Sequence, residues 1–284
     1  MKIAVASGKG GTGKTTVAVN LACLMAESSD HICYVDCDVE EPNGHLFLKP
    51  SITRQWTVSI PFPSVDDRLC DGCGKCKEIC QQNAITVING KVLVFPELCN
   101  GCGGCSLVCP QEAIREIPKE IGKAMAGHAG ELGFISGRLN VGEPMAVPVI
   151  RDVKKAITDN VEAIIDAPPG TTCPMIEAVR QVDYVLLVTE PTPFGLNDLK
   201  IAVDTMSKLD LPHAVIINRA GSGDESVKDF CLDRNIPVVT EIPDDRRVAE
   251  LYSQGKIIYK SLPRFKEYFE DILRAINDKR RERG

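Results

Sequence analysis

One stretch dictates the backbone on both sides of itself. Gly8-Lys9-Gly10-Gly11-Thr12-Gly13-Lys14-Thr15 reads G-x-x-x-x-G-K-T. Ile3-Ala4-Val5-Ala6 precedes it as an apolar run of strand character, and Val17, Leu21, Leu24 and Met25 follow it at helical spacing. Strand, glycine loop and helix together are the setting in which this pattern binds phosphate. Glycines let successive backbone N–H groups turn inward around phosphate oxygens, and the helix start adds its positive dipole end. In such a loop Lys14 reaches the β- and γ-phosphates and the Thr15 hydroxyl holds Mg²⁺.

Composition sets the bounds. The 284 residues have room for one large domain and a small one, and 44% hydrophobic with 25% charged residues is an ordinary globular balance. A net charge of −6 argues against nucleic acid as a partner, since phosphate contacts demand a basic face. No apolar run approaches the roughly 20 residues of a membrane span. The chain runs from its start straight into strand and loop, with no signal peptide, so a cytoplasmic protein is expected. There, 13 cysteines at regular spacing point to metal rather than disulfides.

Two more motifs stand at the ends of apolar runs. Ile32-Cys33-Tyr34-Val35 leads into Asp36-Cys37-Asp38, and Ala163-Ile164-Ile165 leads into Asp166-Ala167-Pro168-Pro169-Gly170-Thr171. Carboxylates at the carboxyl ends of strands beside a phosphate loop sit where open α/β sheets bind ligands. With Lys9, the three motifs resemble those of the MinD/ParA/Mrp superfamily of deviant Walker A ATPases, which includes the nitrogenase iron protein. The resemblance implies ATP and Mg²⁺ as ligands and a doubly wound, mostly parallel sheet. It implies that Lys9 reaches across a dimer, homomeric or with a paralogue, to the partner's phosphates. Lys9, Lys14 and Asp38 would be catalytic, Asp38 by positioning or polarising the attacking water. Thr15, Asp36 and Asp166 would serve the metal, Asp166 through water. The loop from Gly8 through Thr16 would hold the phosphates, with the Gly170 N–H on the γ-phosphate. Asn218, Arg219 and the loop at Pro243 would pack on adenine.

The remaining strong signal is a repeat. Cys70-x2-Cys73-x2-Cys76-x3-Cys80 recurs 29 residues on as Cys99-x2-Cys102-x2-Cys105-x3-Cys109-Pro110. Gly72/Gly101, Gly74/Gly103, Gln82/Gln111 and Ala84-Ile85/Ala113-Ile114 also match. Zinc sites use four ligands in two C-x2-C pairs, which fits these two longer runs poorly. The pattern resembles a bacterial two-cluster ferredoxin, in which the fourth cysteine of each run serves the other cluster. That resemblance assigns Cys70, Cys73, Cys76 and Cys109 to one [4Fe–4S] cluster and Cys99, Cys102, Cys105 and Cys80 to the second. Gln81 replaces the proline usual after the fourth cysteine but removes no ligand. Between the halves, Ile85–Ile88 and Lys91–Val94 around Asn89-Gly90 read as a hairpin.

The expected organisation is therefore an ATPase domain over residues 1–65 and 119–284, with an α+β ferredoxin-like domain inserted at 66–118. Residues 50–65 read as a proline-rich connection, and 119–144, rich in glycine, as loops and short strands in which His128 is solvated or packed. Later segments alternate strand and helix up to a strand over 236–242. From Phe265 to Arg283, Phe265, Phe269, Ile272, Leu273 and Ile276 form one helical stripe. Glu267, Glu270 and Asp271 make its polar face acidic, which opposes anionic lipid, so the tail reads as a docked final helix. Cys23, Cys33 and Cys37 read as packing residues. Cys173, seven residues after Asp166, stands near where the nitrogenase iron protein has a bridging-cluster ligand. A buried cysteine at a helix start is the reading favoured here.

Together these readings describe an ATPase whose dimer closure is coupled to electron transfer through two clusters to an unknown partner. Two alternatives stand beside it. One is an iron–sulfur cluster carrier of Mrp type, although no C-x-x-C follows Cys109. The other is a positioning ATPase like MinD or ParA, which the net charge and the acidic tail oppose.

Overall fold

The structure, a computed structural model, describes residues 1–29 and 31–282. Arg283, where the tail segment named above ends, and Gly284 lie outside them. The strands are β1 (Lys2–Ala6), β2 (Ile32–Asp36), β3 (Ser51–Val65), β4 (Ile85–Ile88), β5 (Lys91–Val94), β6 (Ile114–Ala129), β7 (Leu132–Leu139), β8 (Glu162–Asp166), β9 (Tyr184–Thr189), β10 (His213–Ala220) and β11 (Val238–Pro243). The helices are α1 (Lys14–Ala26), α2 (Gly44–Leu48), α3 (Lys75–Ile79), α4 (Gly104–Leu107), α5 (Val147–Lys155), α6 (Cys173–Val179), α7 (Pro193–Lys208), α8 (Ser226–Asp233), α9 (Arg246–Ser253), α10 (Ile258–Ser261) and α11 (Lys266–Arg281). Two compact units divide them: residues 1–55, 124–138 and 150–284 form one, and residues 56–123 and 139–149 the other.

The first unit is built on a sheet of order β11-β10-β9-β1-β8-β2-β7-β6-β3, in which every pair from β11 to β7 runs parallel. This is the doubly wound α/β architecture expected. Its central strands are apolar on both faces, as a sheet covered twice requires. Ile3, Val5, Ile164, Leu186 and Ile216 share one core with Leu21 of α1 and with Phe269, Ile272 and Ile276 of α11. The tail is thus a docked helix, and no helix among the described residues is long and apolar enough to cross a membrane.

Two expectations need correction. Residues 51–65 are one long strand, not a connection, and most of 119–139 is strand as well. The prolines of β3 are tolerated because it ends the strand order, where a missing N–H interrupts no second ladder. Gly127 of β6 is there for close approach: a Cβ would lie 2.1 Å from the Ser51 carbonyl oxygen. His128 is exposed.

The second unit contains the cysteine repeat, and its backbone repeats too. Gly72 and Gly101, and Gly74 and Gly103, all have positive φ, and so do Asn83 and Glu112. Each half ends with an N–H···S bond of 3.3 Å, Ala84 N to Cys80 Sγ and Ala113 N to Cys109 Sγ. The predicted hairpin forms, with Asn89 and Gly90 at φ 50° and 78° as a two-residue turn demands. The apolar core is small, with Cys76, Ile85 and Ile114 buried at its centre.

Candidate functional site

A parallel sheet brings the carboxyl ends of its strands to one edge. Here that edge gathers the glycine loop after β1, Asp36 of β2, Asp166 of β8, Glu190 after β9, Asn218 of β10 and Pro243 of β11. At this edge lies a cavity of about 460 Å³. Lys9, Gly10, Gly11, Gly13, Lys14, Thr15, Thr16, Asp38, Asn218, Arg219 and Pro243 line it. Gly8, Thr12, Asp36, Asp166 and Gly170 do not. Glu41, Asn43 and Tyr252, which carried no expected role, also line it, as do Asp244 and Asp245 of the loop at Pro243.

Gly13 takes φ 89° at the mouth of α1, and a Cβ there would stand 2.2 Å from Asn218 Nδ2. That amide donates to the Thr12 carbonyl at 2.7 Å. Asn218 therefore braces the loop through its amide. Gly170 N–H likewise donates to the Ser7 carbonyl at 3.0 Å, not into the cavity.

Lys14 Nζ lies 2.6 Å from Asp166 Oδ1 and 3.9 Å from Asp38 Oδ2. Burial is the largest influence and works against its ammonium, but the carboxylates of Asp166, Asp38 and Asp36 together outweigh it and the pKa rises above the ordinary value. Asp36 accepts from the Asp38 N–H at 3.2 Å and from the Gly44 N–H at 3.0 Å. Burial, then the charge of Asp166, push its pKa up to about 8. Burial likewise raises Asp38 to about 6. Three carboxylates crowd one lysine, so the arrangement is short of positive charge. Hard carboxylate and hydroxyl oxygens from Asp166, Asp36 and Thr15 are donors suited to Mg²⁺, which needs few protein ligands because it keeps its waters. Thr12 Oγ1 and Asn43 Oδ1 are buried without a partner among the described residues, so loop and wall are also short of polar contacts.

Lys9 is paired within its own chain. Its Nζ lies 3.3 Å from Glu190 Oε2, while Arg219 Nη1 holds Glu190 Oε1 at 2.6 Å. Glu190 is a residue the sequence left without a role. Nothing local marks it, because its partners lie on the loop after β1 and at the end of β10.

The cysteines fall into two sets. Cys70, Cys73, Cys76 and Cys109 border one cavity, and Cys80, Cys99, Cys102 and Cys105 another. These are the sets that the ferredoxin resemblance implies. The second cavity measures about 190 Å³, the first only about 10 Å³. Among the described residues no three His, Cys, Asp or Glu side chains gather closely enough for one metal ion. A four-iron cube binds each thiolate at a different iron, so its ligands need not meet at a point. Thiolate is the donor type such a cube takes, and of the two cavities only the second offers more than about 10 Å³ of space. Cys173 opens α6 and is exposed, which overturns the expectation of a buried cysteine.

Residues 3–258 match the CobQ/CobB/MinD/ParA nucleotide binding domain. The chain belongs to this family. An uncharacterized protein of Methanocaldococcus jannaschii is 34% identical over 98% of this chain and 97% of its own length. The iron-sulfur cluster carrier protein of Pyrococcus horikoshii is 23% identical over 100% of this chain and 88% of its own. Among solved structures, the septum site-determining protein MinD of Pyrococcus horikoshii, complexed with Mg-ADP, superposes with a TM-score of 0.59 at 20% identity over 98% of each chain. The CobQ/CobB/MinD/ParA chain described here thus has a nucleotide-binding P-loop ATPase fold.

Proposed function

We propose that this chain hydrolyses MgATP to ADP and phosphate and couples that cycle to electron transfer through two [4Fe–4S] clusters. The observation that carries the cluster half is the sorting of eight cysteines into two cavities, each with the first three cysteines of one run and the last cysteine of the other. The cavity behind the glycine loop carries the ATPase half. Lys14, now on Asp166, would turn to the phosphates when ATP enters, leaving Asp166, Asp36 and Thr15 to the metal. Asp38, at the cavity wall and titrating near 6, would orient the attacking water. Lys9 would leave Glu190 to reach a second subunit, so that ATP closes a dimer. Cys70, Cys73, Cys76 and Cys109 would hold one cluster, and Cys80, Cys99, Cys102 and Cys105 the other, at residues 66–118. The clusters, when bound, supply one-electron transfer.

Iron and sulfide analysis of anaerobically reconstituted protein tests the cluster assignment. About eight irons per chain are expected, falling to about four when Cys99, Cys102 and Cys105 are changed to Ser. Zinc, or no bound metal, would end it.

A second reading has its own support. Similarity over the whole chain to an iron-sulfur cluster carrier protein favours cluster delivery, with the exposed Cys173 as a thiol available for exchange. Transfer of iron from the loaded protein to an apo-ferredoxin within minutes would favour it. Iron that resists both chelator and acceptor would favour electron transfer.

A further inference from the structure

The mechanism above leaves one group at its centre unused. Tyr34 is fully buried, yet its hydroxyl is not idle: it donates to Asp166 Oδ2 at 2.9 Å, while Lys14 takes Oδ1. Sheet register explains the contact. Tyr34 lies opposite Ile164 on β8, and Asp36 opposite Asp166. A tyrosine therefore reaches diagonally, two residues along the neighbouring strand, to the carboxylate on its own face. Its ring stacks on Phe134, with centroids 6.1 Å apart. On another side it lies under Gly44, where a Cβ would come within 2.3 Å of the ring. Gly44 in turn donates its N–H to Asp36 at 3.0 Å. One side chain thus touches both the Asp166 carboxylate and the backbone that holds Asp36.

We propose that Tyr34 is a positioning residue for Mg²⁺: its hydroxyl fixes Asp166 Oδ2, and its ring seats Gly44, so that the Asp166 and Asp36 carboxylates keep one mutual geometry as Lys14 leaves. A carboxylate pinned at one oxygen presents the other in a single direction, which is how groups behind a metal ligand tune the site. The proposal rests on reading Asp166 and Asp36 as the carboxylates that serve the metal. It makes no use of the tyrosine's acidity, only of its bond and its shape.

The test is calorimetric titration of ADP and ATP into the full chain, in EDTA and over a series of Mg²⁺ concentrations, for wild type, Tyr34→Phe and Asp166→Asn. Tyr34→Phe should raise the Mg²⁺ concentration needed for half-maximal tightening about 10-fold or more and leave affinity in EDTA unchanged. An unaltered Mg²⁺ requirement in Tyr34→Phe, beside a lost one in Asp166→Asn, would overturn the role of Tyr34 alone. A wild type indifferent to Mg²⁺, or Asp166→Asn that responds as wild type does, would overturn the site reading and this inference with it. If Tyr34→Phe fails to fold, Gly44→Ala displaces the ring with the hydroxyl intact. Loss of the Mg²⁺ response there supports the proposal, and a wild-type response defeats it.

Discussion

Lys14 does two jobs at the residue scale, and they can be separated. It is the cation among carboxylates, bonded to Asp166, which is fully buried. Removing one partner of a buried pair costs about 3 kcal/mol or more, because a charge is left uncompensated. Lys14→Ala should therefore lower the melting temperature of the nucleotide-free chain as well as abolish ATP turnover. A variant that lost turnover at unchanged stability would show that the Asp166 pair contributes nothing to the fold. Asp36 gives the pH counterpart. Its carboxyl is raised to about 8 in the folded chain from an ordinary 3.8, so between these values the folded state holds more protons than the unfolded. Stability from this group is therefore full below about 4 and is lost as pH rises toward about 8. Asp36→Asn, which cannot ionise, should gain on wild type in denaturant melts as pH rises from 5 to 8, and a constant difference across that range would refute the shift. The glycine loop and its lysine were legible in the sequence because conformation there is local: Gly13 must take φ 89°, and only glycine does so cheaply. The Tyr34–Asp166 bond, between residues 132 apart, was not, since only the placing of β2 beside β8 creates it. The pairing of Lys9 with Glu190 was hidden for the same reason.

At the scale of elements, the repeated half-site is the part most open to test. Gly101 and Gly90 both have positive φ, at 64° and 78°, but a Cβ on Gly101 would stand 2.7 Å from the Pro61 carbonyl oxygen, whereas Gly90 has nothing within 4 Å. Gly90→Ala should cost about 1 kcal/mol for its left-handed backbone alone. Gly101→Ala should cost clearly more, because clash is added to strain, and it should lower the iron retained after gel filtration. Equal losses in urea melts would mean that the close approach to Pro61 is relaxed in solution. The hairpin was legible from Asn89-Gly90, since that dipeptide selects its turn. The strands β3, β6 and β7 were not. Prolines and glycines read as loop wherever the sequence alone is consulted. Only an edge position for Pro61 and Pro63, and a backbone lying against Gly127, let those residues sit in strands. Cys173 failed differently: its spacing after Asp166 was noted, but exposure depends on how α6 leaves the Asp166–Gly170 loop.

At the scale of the whole molecule, one chain of the CobQ/CobB/MinD/ParA family holds a nucleotide cavity in one unit and cysteine cavities in the other. In the proposed cycle Lys9 would carry the assembly step. Lys9→Ala should keep ADP binding while losing ATP-dependent self-association in sedimentation velocity, and a variant that still associates would remove the lysine from the interface. The central claim is that the two halves share free energy. By linkage, if ATP alters the clusters' affinity for an electron, reduction alters the affinity for ATP by the same factor. The measurement is therefore the dissociation constant of a non-hydrolysable ATP analogue for the anaerobic, cluster-loaded chain, oxidised and then reduced with dithionite. The account predicts a difference of about 5-fold or more between the two states, the lower range of such couplings. Equal affinities in both states, on a chain with its irons in place, would contradict it.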